Sequence, residues 1–309
     1  MIVLVTGVGG FIGSRVARRV VAEGHEVIGV DDFSSGHREN VPAEVGLVAG
    51  DLAEPAISAA LPARCDLILH LAGQSSGEIS FDDPVTDLQK NTVSTLNLIR
   101  YGLKAGARRI VYASSMSVYG SVADAPVAET EPPRPLSCYG VGKLAAEGYL
   151  RIYGADLPWI ALRMFNVYGP GQDLRNLRQG MVSIYVAQAL ATGRVQVKGG
   201  LSRFRDFIYI DDVVDAWYRA GTLDAPANCP INVGTGTRTT VEELLAAISA
   251  HVPGMSRYIE GSTPGDQSGI YADTTRLKSL LGIASFTSLK TGLAEFVSWA
   301  IEPSRPIRR

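Results

Sequence analysis

The chain has 309 residues, 46% apolar and 19% charged, with a formal net charge of -2. That length buries a large core in one big α/β unit or two unequal ones, and the near-neutral charge gives no footprint for nucleic acid or an anionic membrane. Three unpaired cysteines (Cys65, Cys138, Cys229) and four scattered histidines suggest neither a disulfide framework nor a metal site.

In chain order, strands are expected at 2–5, 26–30, 46–49, 66–71, 109–113 and 160–163, where short apolar runs are bounded by turn residues. Helical spacing of apolar residues fills the gaps at 11–23, 83–105 and 136–153. Strands fed by crossover helices give an α/β fold, a Rossmann-type doubly wound parallel sheet buried on both faces. After residue 165 the rhythm loosens. The stretch 166–178 is rich in Gly, Pro and polar residues, and helices follow at 180–192, beyond Asp211, and at 239–252, 274–281 and 288–301. We read 1–165 as a Rossmann-type domain and 166–309 as a smaller, mostly helical lobe. The stretch 207–235 is expected to return to the main sheet through strands at 207–210 and 230–233. No run approaches the ~20 apolar residues of a spanning helix. The opening apolar run is too short for a secretory signal, so a cytoplasmic setting is expected.

The first strand runs into TGVGGFIG at residues 6–13 and then a helix. Gly7, Gly10 and Gly13 let the backbone turn tightly and approach a pyrophosphate at the positive helix N-terminus. The second strand ends at Asp31, whose carboxylate accepts hydrogen bonds from ribose hydroxyls and repels a 2′-phosphate, so NAD is expected rather than NADP. A glycine triplet by itself is weak; a strand, the triplet, a helix and a terminal acid in order are not. Asp51 and Leu52 follow the third strand, within reach of an adenine. Leu71, Ala72 and Gly73 end the fourth, where small residues let a cofactor lie on the sheet.

A serine cluster, SSMSVYG from Ser114 to Gly120, follows the fifth strand, and Tyr139 and Lys143 share one face of a later helix. A neighbouring cation favours the phenolate, so Tyr139 is expected to have a lowered pKa and to serve as general base. Ser115 is placed to hydrogen-bond the reacting oxygen. Cys138 reads as a small packed residue.

With these segments in hand, the chain resembles the extended short-chain dehydrogenase/reductase superfamily, and within it the nucleotide-sugar epimerases and dehydratases. The resemblance rests on residues 6–13, Asp31 and Asp32, 70–73, Asn91, 114–120, 139–143, LRMFNVYGP at 162–170 and RDF at 205–207. It implies that Phe11, Ile12, Asp32, Asn91 and Ser114 join the cofactor contacts and that Lys143 bonds the nicotinamide ribose. It also implies a UDP-sugar substrate, with Asn166 and Arg205 on the diphosphate and Met181 and Val182 lining the nucleobase pocket. Ser115, Ser117, Phe165 and Asp266 complete the substrate contacts, and Arg175, Arg178 or the cluster from Ser115 to Ser117 would serve a uronate carboxylate. A homodimer through the helices at 83–105 and 136–153 is implied as well.

Met116 and Ser117 stand where related dehydratases carry an Asp-Glu pair and decarboxylases a glutamate, so the resemblance points to the 4-epimerases. The implied reaction interconverts UDP-glucose and UDP-galactose, or UDP-glucuronate and UDP-galacturonate, through a transient 4-keto sugar with Tyr139 as base and acid. The alternatives are a dehydrogenase or dehydratase of the same fold that releases a keto product, and a silent NAD-binding regulator. Two departures bear on substrate. Thr263 precedes Pro264-Gly265-Asp266 where the family usually has a diphosphate-binding arginine, which Arg203 or Arg257 would have to replace. Ser75 stands where some galactose epimerases carry a lysine.

Overall fold

The computed structural model describes residues 1–224, 228–262 and 267–302. Seven parallel strands form the central sheet: β1 Ile2–Thr6, β2 Glu26–Asp31, β3 Gly46–Ala49, β4 Leu67–His70, β5 Arg109–Ser115, β6 Trp159–Met164 and, later in the chain, Cys229–Val233. Across the sheet that late strand comes first, followed by β6, β5, β4, β1, β2 and β3. The chain therefore builds outward in one direction through β3 and then in the other from β4. The reversal falls between β1 and β4, the crevice where open α/β sheets hold ligands.

Alternate residues of each strand face opposite layers. Val3, Val5, Leu67, Leu69, Val111, Ile160 and Leu162 share one core with helix α1 (Phe11–Ala22), while Leu4, Ile68, Ile110, Tyr112 and Ala161 join a second. The second core is closed by α3 (Ser94–Ala105) and α4 (Cys138–Ile152), which follow α2 (Pro84–Leu88). The helix expected over 83–105 is thus interrupted. Residues 89–93 form a π-turn between α2 and α3, a widened turn of the kind frequent at functional sites. Helix α4 starts at Ser137, whose side chain accepts from the Gly140 amide.

The later elements are β7 (Asn166–Tyr168), α5 (Met181–Thr192), β8 (Arg194–Val197), β9 (Phe204–Arg205), β10 (Phe207–Tyr209) and α6 (Ile210–Thr222). The strand at Cys229–Val233 is β11, and β12 (Thr239–Thr240), α7 (Val241–Ser249), β13 (Ser256–Ile259), α8 (Thr275–Leu281) and α9 (Leu289–Ala300) follow. As expected, β11 returns to the main sheet, beside β6. The strand at 207–210 does not. Residues 207–209 pair with β7 instead, and β8 with β13 and β9 with β12 make two further short pairs. Strands of two to four residues show no usable alternation, so a mostly helical reading passes over them. No described helix is long and apolar enough to cross a membrane.

Candidate active site

The cleft at the strand reversal has a volume of about 520 Å³ and is lined by the glycine turn, the ends of β2, β3 and β4, and Tyr139 and Lys143. Gly7 has φ of +70° and Gly13 lies so close under the turn that a Cβ would meet the Gly7 carbonyl oxygen at 2.0 Å. Phe11 and Ile12, at the start of α1, also line it. The Asp31 carboxylate is fixed by two backbone donors, the Gly9 and Phe33 amides, each at 2.8 Å. Asp32 and Asp51 stand at the same end of the cleft, and Leu52 is buried beneath them in the second core. The amides of Leu71 and Ala72 donate to Thr6 Oγ1, which holds the end of β4 against β1. Gly73 (φ +154°) leaves open the space between Asn91 Oδ1 and Lys143 Nζ, which a Cβ would meet at 2.5 and 3.3 Å.

Tyr139 and Lys143 occupy the first turns of α4, both buried, and Ser115 ends β5. Lys143 Nζ lies 5.5 Å from the Tyr139 ring centroid and 5.0 Å from that of Tyr112. The lowered tyrosine pKa expected from the lysine is not found in the protein alone. Burial pushes Tyr139 up to about 12, with a hydrogen bond from Ser115 pulling the other way, and pushes Lys143 down to about 7 against the pull of Asp87. Desolvation outweighs the neighbouring charge. Asp87 was invisible to the sequence reading. Its buried carboxyl accepts from Gln74 and Asn91, and burial raises it to about 6.

Ser114 points away from this centre: its hydroxyl donates to Glu147 Oε1, within the ion pair Glu147 forms with Arg163 at 2.7 Å. The expected substrate residues do not converge on the cleft. Arg175 pairs with Asp173 and stands 3.2 Å from His37, and Arg178 pairs with Asp82 and Glu78. Arg205 is buried and donates to the Phe204 and Gln267 carbonyls. Phe165 packs with Val118, Tyr119 and Ile270, while Val182 is core and Met181 packs beside it. Asn166 is nearer the chemistry, with Nδ2 3.5 Å from Met116 Sδ, and Ser117 Oγ lies 3.2 Å from Ser115 Oγ. Arg257 is paired with Glu242, and Ser75 accepts from Gln179. Thr263 and Asp266 lie outside the described residues.

The cleft fits NAD on features of the protein itself. The glycine turn permits close approach, Asp31 is held at the end of β2, and buried Asn91 Oδ1 has no hydrogen-bond partner where it faces Gly73 and Lys143. A buried tyrosine beside a dinucleotide cleft defines a class: enzymes that move a proton at an alcohol oxygen while hydride moves at its carbon. Comparison with known proteins narrows it. The model of the NAD-dependent epimerase/dehydratase family matches residues 3–234. A UDP-glucose 4-epimerase of Mycolicibacterium smegmatis is 38% identical over 307 residues, covering 96% of this chain and 97% of that protein. The crystal structure of UDP-glucose 4-epimerase from Thermotoga maritima with UDP-glucose superposes with a TM-score of 0.92 at 33% identity, covering 97% of this chain and 98% of its own. The Thermus thermophilus UDP-glucose 4-epimerase, in complex with NAD, gives 0.88 at 32% identity with the same coverage. The chain belongs to the NAD-dependent epimerase/dehydratase family, and it is a nucleotide-sugar enzyme of that family with NAD as its cofactor.

Proposed function

We propose that the protein interconverts UDP-glucose and UDP-galactose by epimerisation at C4. The observation that carries this reading is the buried Ser115–Tyr139–Lys143 centre with Met116 and Ser117 beside it, neither of them the acid by which the related dehydratases and decarboxylases are distinguished. Tyr139 takes the proton from the sugar O4 and later returns it, while Ser115 steadies that oxygen. Held by the glycine turn and Asp31, bound NAD would supply the hydride acceptor and donor for C4 and a positive charge where burial opposes the Tyr139 phenolate. The neutral hexose is favoured over the uronate because the guanidinium groups of Arg175 and Arg178 are already paired with carboxylates, which leaves the uncharged hydroxyls of Ser115 and Ser117 to meet a uronate. Asn166, against Met116, and Arg205 are assigned to the diphosphate by the resemblance. A homodimer is supported by the exposed apolar side chains of Val85 and Leu88 on α2 and Val141, Tyr149 and Ile152 on α4.

Anomeric proton NMR on protein incubated with UDP-glucose, and separately with UDP-glucuronate, tests the proposal. The expected result is conversion of UDP-glucose to UDP-galactose without NADH accumulation. A 4-keto-6-deoxy sugar, a pentose product, selective turnover of the uronate or no conversion of UDP-glucose would overturn it. Tyr139→Phe should lower turnover by about 10²–10⁴-fold, the usual worth of a general base, and keep NAD bound.

A further inference from the structure

The π-turn between α2 and α3 has a consequence at the adenosine end of the cleft. A widened turn shifts side chains out of the regular helical row, and here it sends Asn91 inward and Lys90 toward the cleft. The loosened carbonyls are taken up by Ser94 and Thr95, whose hydroxyls donate to the Lys90 and Asn91 carbonyl oxygens at 2.6 and 2.7 Å. Lys90 Nζ then donates to Asp32 Oδ2 and, at 2.8 Å, to Asp51 Oδ2. Each carboxylate is already aimed by its own turn. Asp32 Oδ1 accepts from the Ser34 amide and hydroxyl, and Asp51 Oδ1 accepts from the Ala53 amide. All three charged groups line the cleft, on the ends of β2 and β3 and on the π-turn. Burial works against both charges, yet the bridge holds Asp32 below and Lys90 above their usual pKa values.

We propose that Lys90, by bridging Asp32 and Asp51, is a latch across the adenosine end of the dinucleotide cleft that sets how fast NAD enters and leaves. It goes beyond the epimerase reading and does not depend on which sugar is used. The bridge is formed in the protein alone and sits on the lining of the cleft, so on this proposal both entry and exit require it to open. Both contacts are charge-assisted and partly reached by solvent, so salt weakens them.

The test follows release of radiolabelled NAD from loaded protein into excess unlabelled NAD, and capture of NAD by stripped protein, for wild type, Lys90→Met and Lys90→Arg. Lys90→Met should speed release and capture together by about tenfold, leaving the dissociation constant little changed, and the gap to wild type should close as sodium chloride rises. Lys90→Arg should stay near wild type, because arginine can span the same two carboxylates. Unchanged release and capture in Lys90→Met, a change in release without capture, or a gap undiminished by salt would each overturn the latch. These readouts need no turnover, so a failed epimerase assay leaves them intact.

Discussion

His70, at the end of β4, is fully buried with Nδ1 2.8 Å from Thr6 Oγ1 and Nε2 3.0 Å from Thr95 Oγ1. Burial, aided by the positive Lys143, lowers its pKa from 6.5 to about 3. Between those values the unfolded chain binds a proton that the folded protein refuses, so stability is whole above about 6.5 and is lost as pH falls toward 3. The slope from this one group reaches about 1.4 kcal/mol per pH unit. Urea midpoints between pH 7.5 and 4.5 should therefore fall more steeply for wild type than for His70→Asn, which is less stable throughout. Equal slopes would remove His70 from this role. At this scale, legibility followed locality. Asp31, Tyr139 and Lys143 are set by one turn or one helix face and were readable. Ser114 and Ser115 alternate across β5, so only one of two equivalent-looking hydroxyls faces Tyr139, and the other goes to Glu147. Arg178 is placed by Glu78 and Asp82, partners far off in the chain that no spacing announces.

Helix α4 carries both Tyr139 and Lys143, and its seating is fixed four residues further on. Glu147 takes Arg163 of β6 in a two-pronged ion pair, Nε to Oε1 at 2.9 Å and Nη2 to Oε2 at 2.7 Å, and also accepts from Ser114 of β5. One side chain thereby docks the catalytic helix on two strands. Removing one partner leaves a buried charge uncompensated, so Glu147→Gln should cost about 3–5 kcal/mol of unfolding free energy in a urea titration. A loss below ~1 kcal/mol would mean that the pair is dispensable. The apolar periodicity of α4 was plain, but the partner of Glu147 was not, because Arg163 becomes its neighbour only after β6 joins the sheet. The π-turn was equally hidden, since it preserves helical composition while changing which way Lys90 points.

For the whole molecule, the alternating strands and the glycine turn made the doubly wound sheet readable. The pairs β7–β10, β8–β13 and β9–β12 depend on tertiary contacts and were not. The proposed dimer belongs at this scale. Combining Val141→Glu with Ile152→Glu should convert a dimer to a monomer in light scattering, as two charges cannot be buried unpaired in an apolar contact. An unchanged mass would place any dimer contact elsewhere. The return of β11 to the sheet also bears on how the chain is made. Until residue 233 has been synthesised, β6 is the outer strand of a growing sheet, its backbone donors and acceptors open to any passing chain. A nascent fragment that already contains the NAD turn, Tyr139 and Lys143 thus ends its sheet at β6, whereas the finished sheet ends at β11. Ribosomal stalling between residues 164 and 229 would leave exposed a strand edge that the finished protein covers, with every catalytic group already translated.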